Sequence, residues 1–198
     1  KFLLGLANTN IYEKNKSFIL PKDIKNKYII LDLNFPKIFL KKTIKKLSKN
    51  NKIIVCATSV HKVNKIKNVI KNIDILFLNK AEILKFTNSK NILESIKKIK
   101  NKNKNIIICA TNGKNNVFFA NNDKIFKIRP PKISVKNENG AGDALAGMMI
   151  YLIFKNVATE KMLKYSIACG SYYASGKMIT NKKDFTKIKY FSKKVSII

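Results

Sequence analysis

The chain has 198 residues, 45% of them hydrophobic, and a formal net charge of +30 from 41 Lys and Arg against 11 Asp and Glu. Length and apolar content fit one globular domain with a sizeable core. No apolar run reaches the length of a membrane span and no signal peptide is visible, so no membrane partner and a cytoplasmic location are expected.

Such a basic balance ordinarily points to nucleic acid or an anionic membrane. Here Arg129 is the one arginine, and the lysines are scattered among asparagines and isoleucines. That bias reads as codon drift in an AT-rich genome, so no dedicated nucleic-acid site is expected. The lysines should still favour anionic ligands and salt-sensitive association with polyanions. Cys56, Cys109 and Cys169 lie in apolar surroundings without metal-ligand or disulfide spacing, and read as reduced core residues.

In chain order, Tyr28 to Leu33 and Ile53 to Cys56 are short isoleucine-rich runs of the kind found in buried parallel strands. Ile73 to Leu78 and Ile106 to Ala110 repeat that pattern. Helical patterns fall at Ile38 to Leu47, Val60 to Ile70, Ala81 to Phe86 and Ile92 to Ile99. Val117 to Ala120 and Lys124 to Ile128, joined by Asn121, Asn122 and Asp123, read as a hairpin. Helices are then predicted from about Asp143 to Phe154 and Glu160 to Ile179. The tail, Asn181 to Ile198, is expected to hold a last, partly packed element. Strands alternating with helices predict a mainly parallel α/β sheet covered on both faces.

In such a sheet, ligands bind outside the carboxyl ends of the strands. Polar residues recur there. Asp32 and Asn34 end the first strand, Ser59 and Lys62 follow the second, Asn79 and Glu82 the third, and Thr111 and Gly113 the fourth. Each has a plain alternative: Asp32 and Asn34 as turn formers, Asn79 and Glu82 as a helix cap with its reciprocal glutamate, and Thr111 and Gly113 as a turn. After the hairpin comes Gly140-Ala141-Gly142-Asp143. Its glycines allow close backbone approach to an anion, and the following helix turns its free N–H groups on that anion. Asp143, in the first turn, is placed to take a proton from a hydroxyl attacking a phosphate.

The order Asn79-x-x-Glu82, Thr111-x-Gly113, then Gly140 to Asp143 resembles the ribokinase-like, or PfkB, carbohydrate kinases from about Leu31 to Ile179. Asn10-Ile11-Tyr12-Glu13, Leu31-Asp32-Leu33-Asn34-Phe35-Pro36 and Ser59-Val60-His61-Lys62 are similar to segments of the pseudouridine kinase branch, with Cys56-Ala57 in place of that branch's Asp-Pro. The resemblance implies a single, partial kinase domain over residues 1–198. Its fold would be a three-layer α/β/α architecture with a mainly parallel sheet, incomplete at its N-terminal side.

It also implies transfer of the ATP γ-phosphate to a primary hydroxyl, most specifically the 5′-OH of pseudouridine, or of another nucleoside or sugar. In that scheme Asp143 is the base, and Gly140, Ala141 and Gly142 form the anion hole. Asn79, Thr111 and Gly113 bind nucleotide, and Glu82 holds Mg²⁺ directly or through water. Asp32, Asn34, Ser59 and Lys62 lie near the acceptor. ATP and Mg²⁺ are the expected cofactors, with K⁺ near the glycine turn as a further expectation, and a homodimer or a complementing N-terminal fragment as an expected partner.

The chain departs from the family pattern in places. Asn137-Glu138-Asn139 precede the glycine turn where the family has Asp-Thr-Thr or similar, and Asn116 stands where the Thr-x-Gly loop often has a second glycine. The family's first third, with its sugar-holding glycine pair, has no counterpart, so a piece of a longer product is expected. Two other readings remain: a decayed nucleotide-binding remnant, and a basic nucleic-acid-binding module. The single histidine, His61, reads as an exposed residue without a catalytic role.

Overall fold

The isoleucine-rich runs become strands because continuous apolar segments suit positions buried on both sheet faces. The computed structural model describes residues 10–14, 24–122 and 124–198. Among these residues seven strands form one sheet in sequence order: β1 (Tyr28–Asp32), β2 (Lys52–Cys56), β3 (Ile75–Asn79), β4 (Ile107–Thr111), β5 (Val117–Asn121), β6 (Lys124–Arg129) and β7 (Ser196–Ile197). β1 and β2 run parallel, from Tyr28 opposite Lys52 to Asp32 opposite Cys56. β2 and β3 are also parallel, with Cys56 opposite Phe77. Ile53, Ile54, Val55 and Leu76 are buried on both faces of these strands. At the end of the sheet β1 differs: Leu31 is buried while Tyr28 and Ile30 are exposed. The tail closes the order, with β7 antiparallel to β6.

The helices are α1 (Asn10–Lys14), α2 (Lys37–Leu47), a 3₁₀ helix (Val63–Asn72), α3 (Lys80–Thr87), α4 (Ile92–Lys102), α5 (Ala141–Phe154), α6 (Thr159–Ala174) and α7 (Lys182–Ser192). The chain divides into two compact units. Among the described residues, one comprises those from Asn10 to Ala110 together with Phe119–Ile125, and the other Thr111–Phe118 with Phe126–Ile198. In the first, the 3₁₀ helix packs against α2, α3 and α4. The Tyr12 ring of α1 meets Phe35 edge-on at 6.1 Å between centroids. In the second, α6 packs against both α5 and α7.

Three predicted elements need correction. The segment read as a helix from Val60 to Ile70 is 3₁₀, with Val63, Ile66 and Val69 buried. A three-residue apolar spacing lines up along a 3₁₀ helix, where side chains at i and i+3 eclipse. The last long helix stops at Ala174 and not at Ile179, because Gly176 turns left-handed at φ 80°. The tail is more ordered than expected, holding both α7 and β7. The hairpin turn keeps Asn122 at φ 40°, while Asp123 lies outside the described residues.

α7 owes its place to one carboxylate. Asp184 Oδ2 accepts from the Thr180 and Asn181 N–H groups at 2.9 and 3.2 Å, and Oδ1 accepts from the buried Tyr172 hydroxyl at 2.9 Å. Donation from the Thr180 backbone, then from Tyr172, holds the Asp184 carboxyl down at about 2.

Candidate active site

In the first unit, parallel strands bring Asp32, Cys56 and Asn79 to the same sheet edge. Asp32 accepts from Asn34 twice, from its N–H at 2.8 Å and from Nδ2 at 3.1 Å. Lys62 Nζ donates to Asn34 Oδ1 at 2.7 Å. Asp32, Asn34 and Lys62 therefore form one polar chain in which Asn34 links a carboxylate to an ammonium group. Ser59 is separate from it: its hydroxyl accepts from the His61 N–H at 3.2 Å and its carbonyl from the N–H groups of Lys62 and Val63. That is turn chemistry at the start of the 3₁₀ helix. His61 is exposed.

Asn79 and Glu82 form the capping box legible in the sequence. Asn79 Oδ1 accepts from the Glu82 N–H at 2.9 Å, and Glu82 Oε2 accepts from the Asn79 N–H at 2.8 Å. Glu82 is buried. A reciprocal cap satisfies donors at the start of α3 that would otherwise lack partners.

The second unit starts its helix differently. Gly140 precedes α5 at φ 82°, and no side chain caps the helix. The first helical bond runs from the Ala144 N–H to the Gly140 carbonyl. The Ala141 N–H reaches the Glu138 carbonyl only at 3.4 Å, and the next two, of Gly142 and Asp143, precede any intrahelical acceptor. Two bonds tie the preceding loop to the end of α6: the N–H groups of Lys136 and Asn137 both donate to the Ala174 carbonyl, at 2.8 and 3.1 Å.

A cavity of about 650 Å³ opens beside this turn. Thr111, Gly113 and Asn116 line it from the loop after β4, Ala141 and Gly142 from α5, and Ile167, Gly170 and Ser171 from α6. Val117, Ile133 and Leu145 give it apolar wall, and Lys114, Arg129 and Lys132 give it positive charge. Four predicted residues thus meet here: Thr111, Gly113, Ala141 and Gly142. Gly113 holds a left-handed φ of 54°, whereas Asn116 does not, so asparagine in place of glycine carries no backbone strain. Asp143 sits one residue on, exposed, and does not line the cavity.

Gly142 is informative for what its environment lacks. Its φ is not left-handed, and a Cβ added there would meet nothing within 4 Å. A glycine in a helix costs roughly 1 kcal/mol relative to alanine. Neither backbone nor packing requires that cost here.

Sequence reading did not connect two residues of α6, Gly170 and Tyr173, with the glycine turn. A Cβ on Gly170 would stand 2.9 Å from the Ala141 carbonyl oxygen and 3.1 Å from Leu145 Cβ. The Tyr173 ring lies against Gly140, its Cε1 3.0 Å from where a Cβ would be. A glycine within a helical pattern was the available signal for Gly170. Tyr172, the neighbour of Tyr173, is buried. Cys109 and Cys169 are buried free thiols, and burial pushes them up to about 12 and about 11; Cys56 is half-buried. Among the described residues no group of three or more His, Cys, Asp or Glu could hold a metal, and no helix is long and apolar enough to cross a membrane.

Residues 8–182 fit the family described as pfkB family carbohydrate kinase, and the chain belongs to that family. No curated protein sequence matches it significantly. Among solved structures it is similar to phosphofructokinase-2 from Escherichia coli in complex with potassium (19% identity, TM-score 0.71, 86% of this chain, 59% of that one). It is similar also to a carbohydrate kinase from Agrobacterium tumefaciens (23%, 0.64, 86% and 56%). A third likeness is to Arabidopsis thaliana ribokinase complexed with ribose and ATP (18%, 0.69, 81% and 55%). The fold is the three-layer α/β/α architecture of these proteins, with a mostly parallel sheet, as predicted. The chain spans 55–59% of their length.

Proposed function

We propose that this chain carries the nucleotide-binding and phosphoryl-transfer part of a sugar or nucleoside kinase. The observation that carries this reading is the pairing of an uncapped α5 start with the cavity lined by Thr111, Gly113, Ala141 and Gly142. The cavity fits ATP: its volume is within the range of small-molecule sites, its apolar walls suit a base, and its cations suit phosphates.

In this reading the N–H groups of Gly142 and Asp143 receive the transferring phosphoryl group, where charge builds up. The Asp143 carboxylate takes the proton of a primary hydroxyl as that oxygen bonds to the γ-phosphorus and the bond to the β-phosphate oxygen breaks. Asn79 contacts nucleotide phosphates. Mg²⁺, held by Glu82 directly or through water, would neutralise phosphate charge. Because Glu82 Oε2 already serves the cap, water-mediated contact suits this residue best. The potassium bound by phosphofructokinase-2 makes K⁺ beside the glycine turn part of the proposal.

For the acceptor we propose the 5′-OH of pseudouridine, on the Asp32–Asn34 and Ser59–Lys62 segments; ribose or another sugar is the second reading. Equilibrium binding of ATP tests the first claim, and its absence at millimolar ligand sinks it. Single-turnover transfer from γ-labelled ATP, with pseudouridine, uridine and ribose in parallel, tests the second. Label appearing on ribose and uridine but not on pseudouridine rules out the acceptor.

A further inference from the structure

The two α6 contacts with the glycine turn have no part in the chemistry above. Gly170 lies under the carbonyl of Ala141, where a single methyl group would stand 2.9 Å from a backbone oxygen and 3.1 Å from Leu145 Cβ. Backbone cannot yield as a flexible side chain can, so a methyl there must push α5 away from α6. Tyr173, one helical turn on, lays its ring against Gly140, its Cε1 3.0 Å from where a Cβ on that glycine would stand. The end of the same helix accepts two N–H groups from the loop leading into the turn, through the Ala174 carbonyl. Gly170, Tyr173 and Ala174 thus hold three successive parts of the segment: the first residue of α5, the glycine before it, and the loop before that.

We propose that Gly170 and Tyr173 are positioning residues that set where the N–H groups of Gly142 and Asp143 point, and so govern phosphate affinity through the backbone of the glycine turn and α5. The proposal rests on the nucleotide-binding reading above. The Gly170 Cβ direction faces α5, so a methyl added there reaches the phosphate cradle through the helix and not by filling the cavity. Tyr173 does not line the cavity.

The test compares ATP with adenosine, which shares the base and ribose but has no phosphate. Gly170→Ala and Tyr173→Ala should each weaken ATP binding about tenfold or more while adenosine affinity stays within about twofold. Gly147→Ala is the control: it is exposed on α5, its added Cβ would meet nothing within 4 Å, and both ligands should bind it as they bind the parent. Tyr173 is only half-buried, so its variant should fold even if Gly170→Ala does not. Unchanged ATP affinity in Tyr173→Ala, or parallel loss of ATP and adenosine, overturns the proposal. If the parent chain binds no ATP, the functional reading fails, and backbone amide NMR signals decide the positioning by themselves. Displaced Gly142 and Asp143 signals in the α6 variants, absent in Gly147→Ala, support it, and unmoved signals overturn it.

Discussion

α3 follows β3 directly and α5 follows the loop after β6, and their first turns are built in opposite ways. α3 closes on itself, with Asn79 and Glu82 satisfying each other's backbone N–H groups and Glu82 buried. α5 has no side-chain cap, a left-handed glycine before it, and a cavity beside it. A helix start that satisfies its own donors contributes stability; one that leaves them open has donors to offer an anion. In the function proposed above, the difference separates what the fold needs from what the ligand needs.

Several substitutions sharpen or break that contrast. The largest effect is expected at Asp143. In a form of the kinase that turns over, Asp143→Asn should lower single-turnover transfer roughly 10²- to 10⁴-fold with ATP affinity nearly unchanged, since the carboxylate serves the hydroxyl proton. Undiminished transfer would falsify its role as base. Next, Glu82→Ala should cost about 1–2 kcal/mol in denaturant unfolding through loss of the reciprocal cap. A cost near zero would show that α3 does not depend on its box. Glu82→Gln tests the metal role separately, and should raise the Mg²⁺ concentration needed for transfer.

Gly142→Ala should move in the other direction, gaining about 0.5–1 kcal/mol of stability from helix preference while weakening ATP binding. Destabilisation instead would mean that the fold itself requires this glycine.

The smallest and most local effect concerns acid. Asp184 has its folded pKa lowered from 3.8 to about 2, so its contribution is fully present above the ordinary carboxylate value and is lost as pH falls towards about 2. Urea titrations between pH 5 and pH 2 should show Asp184→Asn less sensitive to acid than the parent. An identical slope in both would remove Asp184 from the acid response.

The strands were legible because isoleucine runs leave few other solutions for a buried segment. The capping box was legible because Asn79 and Glu82 stand three apart in front of an apolar run. The 3₁₀ helix was misread since apolar residues spaced by three or four fit an α-helix nearly as well, and Val63, Ile66 and Val69 happen to repeat by three. The glycine turn announced its own residues but not what holds it. Gly170 and Tyr173 lie some thirty residues further on, and the 2.9 Å spacing beneath Ala141 exists only once α5 and α6 are packed. For the same reason Lys114 and Lys132 could not be told from the other lysines, nor the one arginine, Arg129, placed beside the cavity, until the chain folded.

The buried thiols offer a use unrelated to phosphate. Cys109 belongs to the first unit and Cys169 to the second, and both are shielded and protonated at neutral pH. An alkylating reagent can therefore reach each sulfur only when the structure around it opens. Mass spectrometry of the two peptides over time would give two clocks in one molecule. Equal rates would mean that the halves breathe as a single body, and unequal rates would show which of them loosens first.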